Sequence, residues 1–295
     1  MKREFIETVI CEVKKLVPNT DVSVQDIVKN NDVTLHGIII KAKDSNVAPT
    51  IYLENYLEDG IEPNDVSKVA QRIVDTYNSN RPEANKYNQI VSKISNFDDV
   101  KPLLRIRLVN KELNASFLST IPHMPFLDMA IIAVIELGDT DNGLATIKIT
   151  NQLLESWGKT LTDILPFAND NTFNTPYTLT SMADIMADML GMPQELIDEI
   201  DEDSPMYILS NQMNVNGAVM ICNYNTMMEL ANKFDADLIV LPSSIHEVLI
   251  VPKRNGMNID DLTRMVQEVN DTEVKAEEVL SNHAYVFTRK NGWEH

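Results

Sequence analysis

The sequence predicts an α+β fold in which antiparallel sheets carry helices packed on one face, divided between two domains. Three observations lead to it: short β-branched runs come in hairpin-like pairs, single amphipathic helices separate these pairs, and the polar segment Asn96–Pro102 interrupts the chain. The length of 295 residues, 44% of them hydrophobic, supplies enough apolar material for one or two cores. We therefore place an N-terminal domain at residues 1–96 and an acidic C-terminal domain at residues 97–295.

The N-terminal domain is predicted to contain helix, hairpin and helix in that order. Apolar residues at helical spacing indicate an amphipathic first helix; they are Phe5, Val9, Val13 and Leu16. The polar turn Lys29–Asp32 between two β-branched runs predicts the hairpin, because asparagine and aspartate tolerate left-handed backbone conformations. A helix opened by Pro63 follows; we expect Asn78–Pro82 to end it and a second helix to occupy Ala84–Ile94.

Strand patterns dominate the start of the C-terminal domain. Arg105 and Arg107 alternate with apolar residues, as in a half-buried strand. A loop is expected at His123–Pro125, and Leu127–Leu137 predicts a central strand. The dipeptide Asn142-Gly143 then indicates a hairpin turn into the next strand.

The last third alternates strand pairs with single helices. Ser181 and Gly191 bracket a helix as its start and stop signals. Met206–Leu209 and Ala218–Cys222 are predicted to be paired strands. The remaining expected elements are a helix at Asn225–Phe234, strands at Leu238–Leu241 and Val248–Val251, a helix at Ile259–Val269, and a strand at Ala284–Thr288 that closes the sheet.

The charge is unevenly distributed along the chain. The formal net charge is −19, yet residues 1–126 carry 16 basic and 17 acidic side chains, whereas residues 127–295 carry 9 and 27. No lysine or arginine occurs between Lys159 and Lys233. Because binding to nucleic acid or anionic lipid requires a basic surface, we expect no direct nucleic-acid binding and no membrane association.

The interval without basic residues is rich in methionine and contains a dense acidic run. Met182, Met186 and Met189 fall on one face of the predicted helix. The acidic run consists of Asp198, Glu199, Asp201, Glu202 and Asp203. One interpretation is a buried methionine stripe beside a solvated acidic loop. The other is a surface for a basic protein partner, because flexible thioethers framed by acids suit adaptable peptide binding.

Several chemistries lack their sequence signatures. The glycine-rich phosphate-binding motifs and the nucleophile-elbow motif are absent. His246-Glu247 begins like a zinc-protease motif, but Ile250 occupies the place of the second histidine, so we expect neither metal nor cofactor. Cys11 and Cys222 form no C-x-x-C pair, which predicts small buried thiols in a reducing compartment, the cytoplasm.

Two histidines are candidates for catalysis because they lie in predicted loops beside strands. For His246, the hydroxyl of Ser243 or Ser244 is a conceivable nucleophile, and Glu247 completes this loop. His123 is the second candidate. Side chains two or three residues apart seldom meet in attack geometry, and no residue that would orient the imidazole is evident. Structural hydrogen bonding is therefore the competing interpretation of both histidines.

Several sequence blocks resemble one bacterial family. They are LPSSIHEVLIVP (Leu241–Pro252), NVNGAVMI (Asn214–Ile221), PFLDMAIIAVIEL (Pro125–Leu137), the hairpin KNNDVTLHGIII and the segment IYLENYLEDG. Across nearly the whole chain they are similar to the family known as domain of unknown function 5688, and S-S-I-H-E is the most specific block. A fainter likeness connects the chain to the YtpQ-like proteins. Neither resemblance implies an activity, a cofactor or a catalytic residue. Proteins of this kind are often encoded among the cargo genes of mobile elements, and this context implies an accessory role.

Three functions follow as hypotheses. The first is a cytoplasmic, non-enzymatic accessory protein that binds a basic partner through the acidic, methionine-rich surface. The second is a small-molecule enzyme or ligand-binding protein that uses the Ser243–Glu247 loop. The third is an acidic mimic of nucleic acid, whose carboxylates would have to be spaced along one extended face.

Overall fold

A three-stranded antiparallel sheet and two long helices make up the first of two units, which comprises Met1–Val100 and Glu136–Thr146. The computed structural model describes residues 3–42, 48, 50–57, 65–91, 94–140, 143–191 and 205–294. The elements of the N-terminal part are α1 (Arg3–Leu16), β1 (Thr20–Val28), β2 (Thr34–Ala42), β3 (Thr50–Tyr52), α2 (Val66–Val91) and the short α3 (Phe97–Val100). The order in the sheet is β1-β2-β3.

The predicted N-terminal hairpin is confirmed. Strands β1 and β2 pair antiparallel, with Thr20 opposite Ala42 at one end. In the connecting turn, Asn31 and Asp32 have φ angles of 60° and 54°. These two residue types adopt the left-handed region at a lower cost than most, which explains why the turn falls there.

The apolar faces of α1 and α2 pack on this sheet. Val9 and Val13 of α1 and Ile73 of α2 are fully buried, in one cluster with Ile38 and Ile40 of β2. This burial accounts for the helical spacing of apolar residues in the sequence.

Helix α2 is longer than predicted. The prediction that Asn78–Pro82 ends this helix and that a second one occupies Ala84–Ile94 is wrong, because a single helix continues to Val91. Pro82 lacks a main-chain N–H, so the helix forgoes one hydrogen bond there without ending. Pro63, the predicted first-turn residue, lies outside the described residues.

Two antiparallel sheets form the framework of the second unit, which comprises Lys101–Ile135 and Ile147–His295. Its elements begin with β4 (Leu104–Asn110), α4 (Ala115–Leu118), β5 (His123–Phe126), β6 (Met129–Thr140), β7 (Gly143–Lys148), α5 (Asn151–Trp157) and α6 (Leu161–Phe173). They continue with β8 (Tyr177–Ser181), α7 (Met182–Leu190), β9 (Tyr207–Asn211), α8 (Tyr224–Lys233), β10 (Leu238–Leu241), β11 (Val248–Pro252), α9 (Ile259–Thr272), β12 (Tyr285–Thr288) and β13 (Gly292–Trp293). The parts of β6 and β7 within residues 136–146 belong to the first unit.

The larger sheet has six strands in the order β13-β12-β10-β11-β9-β8. Helix α9 packs on it through Val266, which shares a buried cluster with Ile239, Leu241 and Val251. The smaller sheet has the order β4-β6-β5, and β7 pairs with β6. Antiparallel sheets with packed helices confirm the predicted α+β class, and the boundary predicted at residue 96 stays a prediction.

Three expectations for the second unit are wrong. Residues Gly217–Cys222 form a 3-10 helix, so Ala218–Cys222 is not a strand; β9 pairs with β8 and β11 instead. The segment at His123 is not a loop, because it forms β5 and pairs with β6. The sheet does not close at β12, since Gly292–Trp293 adds a short edge strand. A short buried apolar run fits strand and helix equally well, which explains the first error.

Candidate functional site

Helix α7 carries the methionines that the sequence placed on one face. Ser181 caps its start by accepting a hydrogen bond from the N–H of Ala183 at 3.1 Å. Gly191 ends it with a φ of 63°, in the left-handed conformation typical of a helix C-cap. Both predicted bounds of this helix are confirmed.

Two of these three methionines are exposed to solvent. Met189 is 80% exposed and Met186 is 40% exposed, while Met182 is half-buried. Ala183 and Ala187 are buried and mark the side of α7 that faces the protein. At about 100° per residue, the three methionines span an arc of only about 60° on the outer side. The methionine face (Met182, Met186, Met189) is therefore a surface feature and not a sealed core stripe.

The acidic side chains of α7 lie about 100° or more around the helix from the methionine face. Asp184 and Asp188 of α7 are both exposed. The acidic run from Asp198 to Asp203, predicted as the partner-binding acids, lies outside the described residues.

The S-S-I-H-E block is a turn tied to the main chain on two sides. The N–H of Ile245 donates to the carbonyl of Glu278 at 2.9 Å, and the N–H of Gly217 donates to the carbonyl of His246 at 2.9 Å. The hydroxyl of Ser210 also donates to that His246 carbonyl, at 2.8 Å. The S-S-I-H-E block and the N-V-N-G block are thus hydrogen-bonded to each other, although about 30 residues separate them in sequence.

The imidazole of His246 is held at both ring nitrogens. The N–H of Asn216 donates to Nδ1 at 3.3 Å, which requires a lone pair there. The proton of the neutral ring therefore resides on Nε2. Nε2 lies 3.7 Å from Oε1 of Glu278. The ring orientation is fixed by a main-chain donor on one side and a carboxylate on the other.

The predicted serine candidates contact main-chain groups. The hydroxyl of Ser244, a buried residue, accepts a hydrogen bond from the main-chain N–H of His246 at 3.0 Å. The carbonyl of Ser243 accepts one from the N–H of Leu280 at 2.9 Å. Glu247 is half-buried. The block brings Ser244 and His246 together, but the hydrogen bonds described for the hydroxyl do not lead to the imidazole. A catalytic role for these residues stays a prediction.

His123, the other candidate base, lies on β5 opposite Ile132 of β6. Its Nδ1 lies 3.2 Å from the carbonyl of Ile121, which accepts the ring proton. The residue is half-buried. Its predicted catalytic role is likewise not decided by these contacts.

A polar cluster that the sequence did not reveal forms around Asp128. Oδ2 of Asp128 accepts a hydrogen bond from the hydroxyl of Ser281 at 2.8 Å and lies 3.0 Å from Nδ1 of His283. The hydroxyl of Tyr285 lies 3.1 Å from that of Ser281. We call these four residues the Asp128 cluster. As many as 155 positions separate its members in sequence, so no local motif could have indicated it.

Two unfavourable features accompany the Asp128 cluster. Leu127, the preceding turn residue, has a φ of 53°, a region that costs a leucine about 1 kcal/mol or more. Oδ1 of Asp128 is buried and has no hydrogen-bond partner among the described residues. Burial and the hydrogen bond to Asp128 raise the pKa of Tyr285 above its usual range. A strained turn that presents a carboxylate with one buried oxygen is the kind of arrangement found at functional sites.

The two thiols have different environments. Cys11 on α1 is exposed, which corrects the prediction that both thiols are buried. Burial raises the pKa of the Cys222 thiol, although part of that residue stays accessible. Neither is part of a metal site in the described ranges, where no group of three potential metal ligands occurs. Among those same residues, no helix has both the length and the apolarity that crossing a membrane requires.

Comparisons with known proteins address the family and not the activity. A model of a family of unknown function, DUF5688, matches residues 2–289, and this confirms the resemblance of the S-S-I-H-E block and its companions. No curated protein and no solved structure matches the chain. Because the match extends over nearly the whole sequence, the chain belongs to the DUF5688 family of unknown function.

Proposed function

We propose that this protein is an accessory protein that binds a basic partner through the methionine face of α7. The observation that carries the proposal is the exposure of Met189, at 80%, and Met186, at 40%, on a well-capped helix. Soluble proteins rarely leave neighbouring large apolar side chains in water without a use for them.

The adaptability of methionine supports a peptide or helix as the partner. The thioether is unbranched and polarizable, so it adjusts to partners of different shape. Complete burial of a methionine side chain contributes about 1.5–3 kcal/mol. Docking on Met186 and Met189 together therefore supplies enough free energy for a measurable contact once electrostatic attraction adds to it.

The surrounding charge supports a basic partner. Asp184 and Asp188 are exposed on the same helix, and no lysine or arginine occurs from residue 160 to residue 232. A partner with lysine or arginine beside its apolar residues would meet complementary charge here and no competing cation from this part of the chain.

Fluorescence anisotropy with two labelled peptides tests the proposal. The probe is an amphipathic helical peptide of leucine and lysine, and its counterpart has glutamate in place of every lysine. We expect the lysine peptide to bind, and to bind more weakly as salt rises from about 20 mM to about 300 mM, because exposed charges are screened. We expect the glutamate peptide not to bind.

A variant with unchanged net charge distinguishes binding at the methionine face from general electrostatic attraction of the peptide to an acidic protein. Replacing Met186 and Met189 together by glutamine leaves the net charge unchanged and should weaken binding roughly ten-fold, which corresponds to about 1.4 kcal/mol. Met124→Gln is the matched control, since Met124 is 41% exposed but lies on β5. Equal affinity of the double variant and the wild type would refute the proposal, as would failure of the lysine peptide to bind.

A further inference from the structure

We propose that His283 is the general base of a hydrolytic site for uncharged carboxylic esters, with Asp128 and Ser281 as its positioning residues. This inference is independent of partner binding, because it rests on the Asp128 cluster and not on α7.

The carboxylate of Asp128 determines the tautomer of His283. A carboxylate oxygen accepts hydrogen bonds, so at 3.0 Å Nδ1 of the ring must carry the proton. Nε2 then has a free lone pair. The His283 side chain is 58% exposed, and no partner of Nε2 occurs among the described residues. An imidazole held at Nδ1 by a carboxylate, with Nε2 turned to solvent, is the arrangement of a general base.

Ser281 connects the carboxylate and the histidine in a closed ring of hydrogen bonds. Its hydroxyl donates to Asp128 at 2.8 Å and accepts from the main-chain N–H of His283 at 3.1 Å. The hydroxyl of Tyr285 lies 3.1 Å from that of Ser281 and borders this ring. Ser281 is fully buried, so it positions the pair and is not itself the nucleophile.

The main chain of this segment is anchored as well. The side-chain amide of Asn270 donates to the carbonyl of Ser281 at 2.8 Å and to the side-chain oxygen of Asn282 at 2.7 Å. The amide of Asn110 donates to the carbonyl of Leu280 at 3.0 Å. Preorganisation of this kind holds a base in place without a cost at the moment of reaction.

The other described histidines lack this combination. His246 receives a hydrogen bond at Nδ1, and its Nε2 faces Glu278. His36 has carboxylates near both ring nitrogens, at 2.6 Å and 3.8 Å. His123 is held by a carbonyl, which fixes the tautomer but adds no negative charge. Among the described histidines, His283 alone joins a carboxylate at Nδ1 to an open Nε2.

The charge of this part of the chain favours an uncharged substrate. Asp128 places a carboxylate beside the ring, and residues 127–295 as a whole carry 9 basic and 27 acidic side chains, so the net charge disfavours an anionic substrate. For an uncharged ester, Nε2 takes a proton from water while the water oxygen bonds to the carbonyl carbon. The adduct then collapses, the bond to the alcohol oxygen breaks, and the proton passes from Nε2 to the departing alkoxide. Ester and water become acid and alcohol, with no change of oxidation state.

An NMR measurement on the wild-type protein tests the geometry without any substrate. Two-bond ¹⁵N–¹H correlations of the histidine rings distinguish the two neutral tautomers. The expected result is a proton on Nδ1 of His283 and on Nε2 of His246, so His246 is an internal reference. A proton on Nε2 of His283 would overturn the proposal, whatever the stability of any variant.

Hydrolysis of 4-nitrophenyl acetate tests the chemistry. We expect His283→Gln to lower the rate about a hundred-fold, the usual contribution of a general base. His36→Gln is the matched control and should keep the wild-type rate, because His36 lies on β2 of the first unit and is not a candidate base. A wild-type rate in His283→Gln would overturn the proposal.

Asp128→Asn separates a positioned base from an ordinary surface histidine. Asparagine presents an amide that no longer fixes the proton on Nδ1, so the rate should fall at least about ten-fold although His283 is still present. The same variant should shift the His283 ring towards the other tautomer. An unchanged rate in folded Asp128→Asn, checked by circular dichroism, would overturn the role of Asp128. Ser281→Ala provides a second variant with the same expected direction.

Discussion

Gly217 lies where the chain before the 3-10 helix meets the S-S-I-H-E turn, and an added methyl group tests this contact. A Cβ atom at residue 217 would lie 2.5 Å from the main-chain nitrogen of Asn211 and 2.7 Å from the carbonyl oxygen of His246, and it would also clash with the hydroxyl of Ser210. Real Cβ atoms essentially never come this close to main-chain atoms. Because main-chain atoms cannot rotate away as a side chain can, Gly217→Ala must displace the main chain at residue 217, at Asn211 or at His246.

The expected loss of stability follows from the contacts that move. Two hydrogen bonds to the carbonyl of His246 are at risk, from Gly217 at 2.9 Å and from Ser210 at 2.8 Å. Each contributes about 1 kcal/mol, and overpacking of a tight site costs about 1–3 kcal/mol more. We expect Gly217→Ala to reduce the free energy of unfolding by roughly 3 to 5 kcal/mol.

Urea unfolding followed by tryptophan fluorescence is a suitable assay. Both tryptophans, Trp157 and Trp293, belong to the second unit, which also contains Gly217. Gly158→Ala is the matched control: Gly158 has a φ of 62° and no neighbouring atom within 4 Å of an added Cβ, so only the backbone cost of about 1 kcal/mol remains. If both variants lose the same stability, the close approach at Gly217 does not exist as described.

Two further predictions concern single side chains. Burial and, to a lesser degree, the 2.8 Å hydrogen bond to Glu229 raise the pKa of Tyr177 to about 12. The protonated tyrosine therefore stabilises the folded state fully below about pH 10. This contribution to the free energy of unfolding is lost as the pH rises towards 12. Ultraviolet titration of wild type against Tyr177→Phe should show this late ionisation, and Glu229→Gln should move it part of the way down; a midpoint near 10 in the wild type would contradict the described environment. Cys11 should react rapidly with a thiol reagent and Cys222 slowly, because burial raises the pKa of the Cys222 thiol. Cys11→Ser should therefore abolish the fast phase, and a fast phase that survives would contradict the described environment of Cys222.

The sequence pattern predicted much of the fold because turns and helix ends depend on the conformational preferences of a few neighbouring residues. The hairpin turn at Asn31 and Asp32 requires residues that tolerate positive φ, and the sequence offers them between two β-branched runs. Helix α7 begins and ends at its cap residues, Ser181 and Gly191. In each case the signal and the structure are within a few residues of one another.

The errors arise where local pattern is ambiguous or outweighed. The apolar run Ala218–Cys222 is buried from Ala218 to Ile221, so its burial has no period that separates strand from helix. At Pro82 the loss of one hydrogen bond does not end α2, although proline is a strong stop signal.

The candidate site was the least accessible to sequence reasoning. Exposure of the methionine face depends on which side of α7 the rest of the fold covers, and the sequence gives only the spacing. The partners of His246, Asn216 and Glu278, come from distant segments. Asp128 and His283 are 155 positions apart, so only the folded chain brings them together.

The most direct test of the proposed function is methyl NMR of the protein with ¹³C-labelled methionine, titrated with the lysine-leucine peptide. Our account predicts that the methyl signals of Met186 and Met189 shift with the bound fraction, while the signal of Met124 stays in place. If the peptide binds and the two α7 methyl signals do not move, the methionine face is not the binding surface.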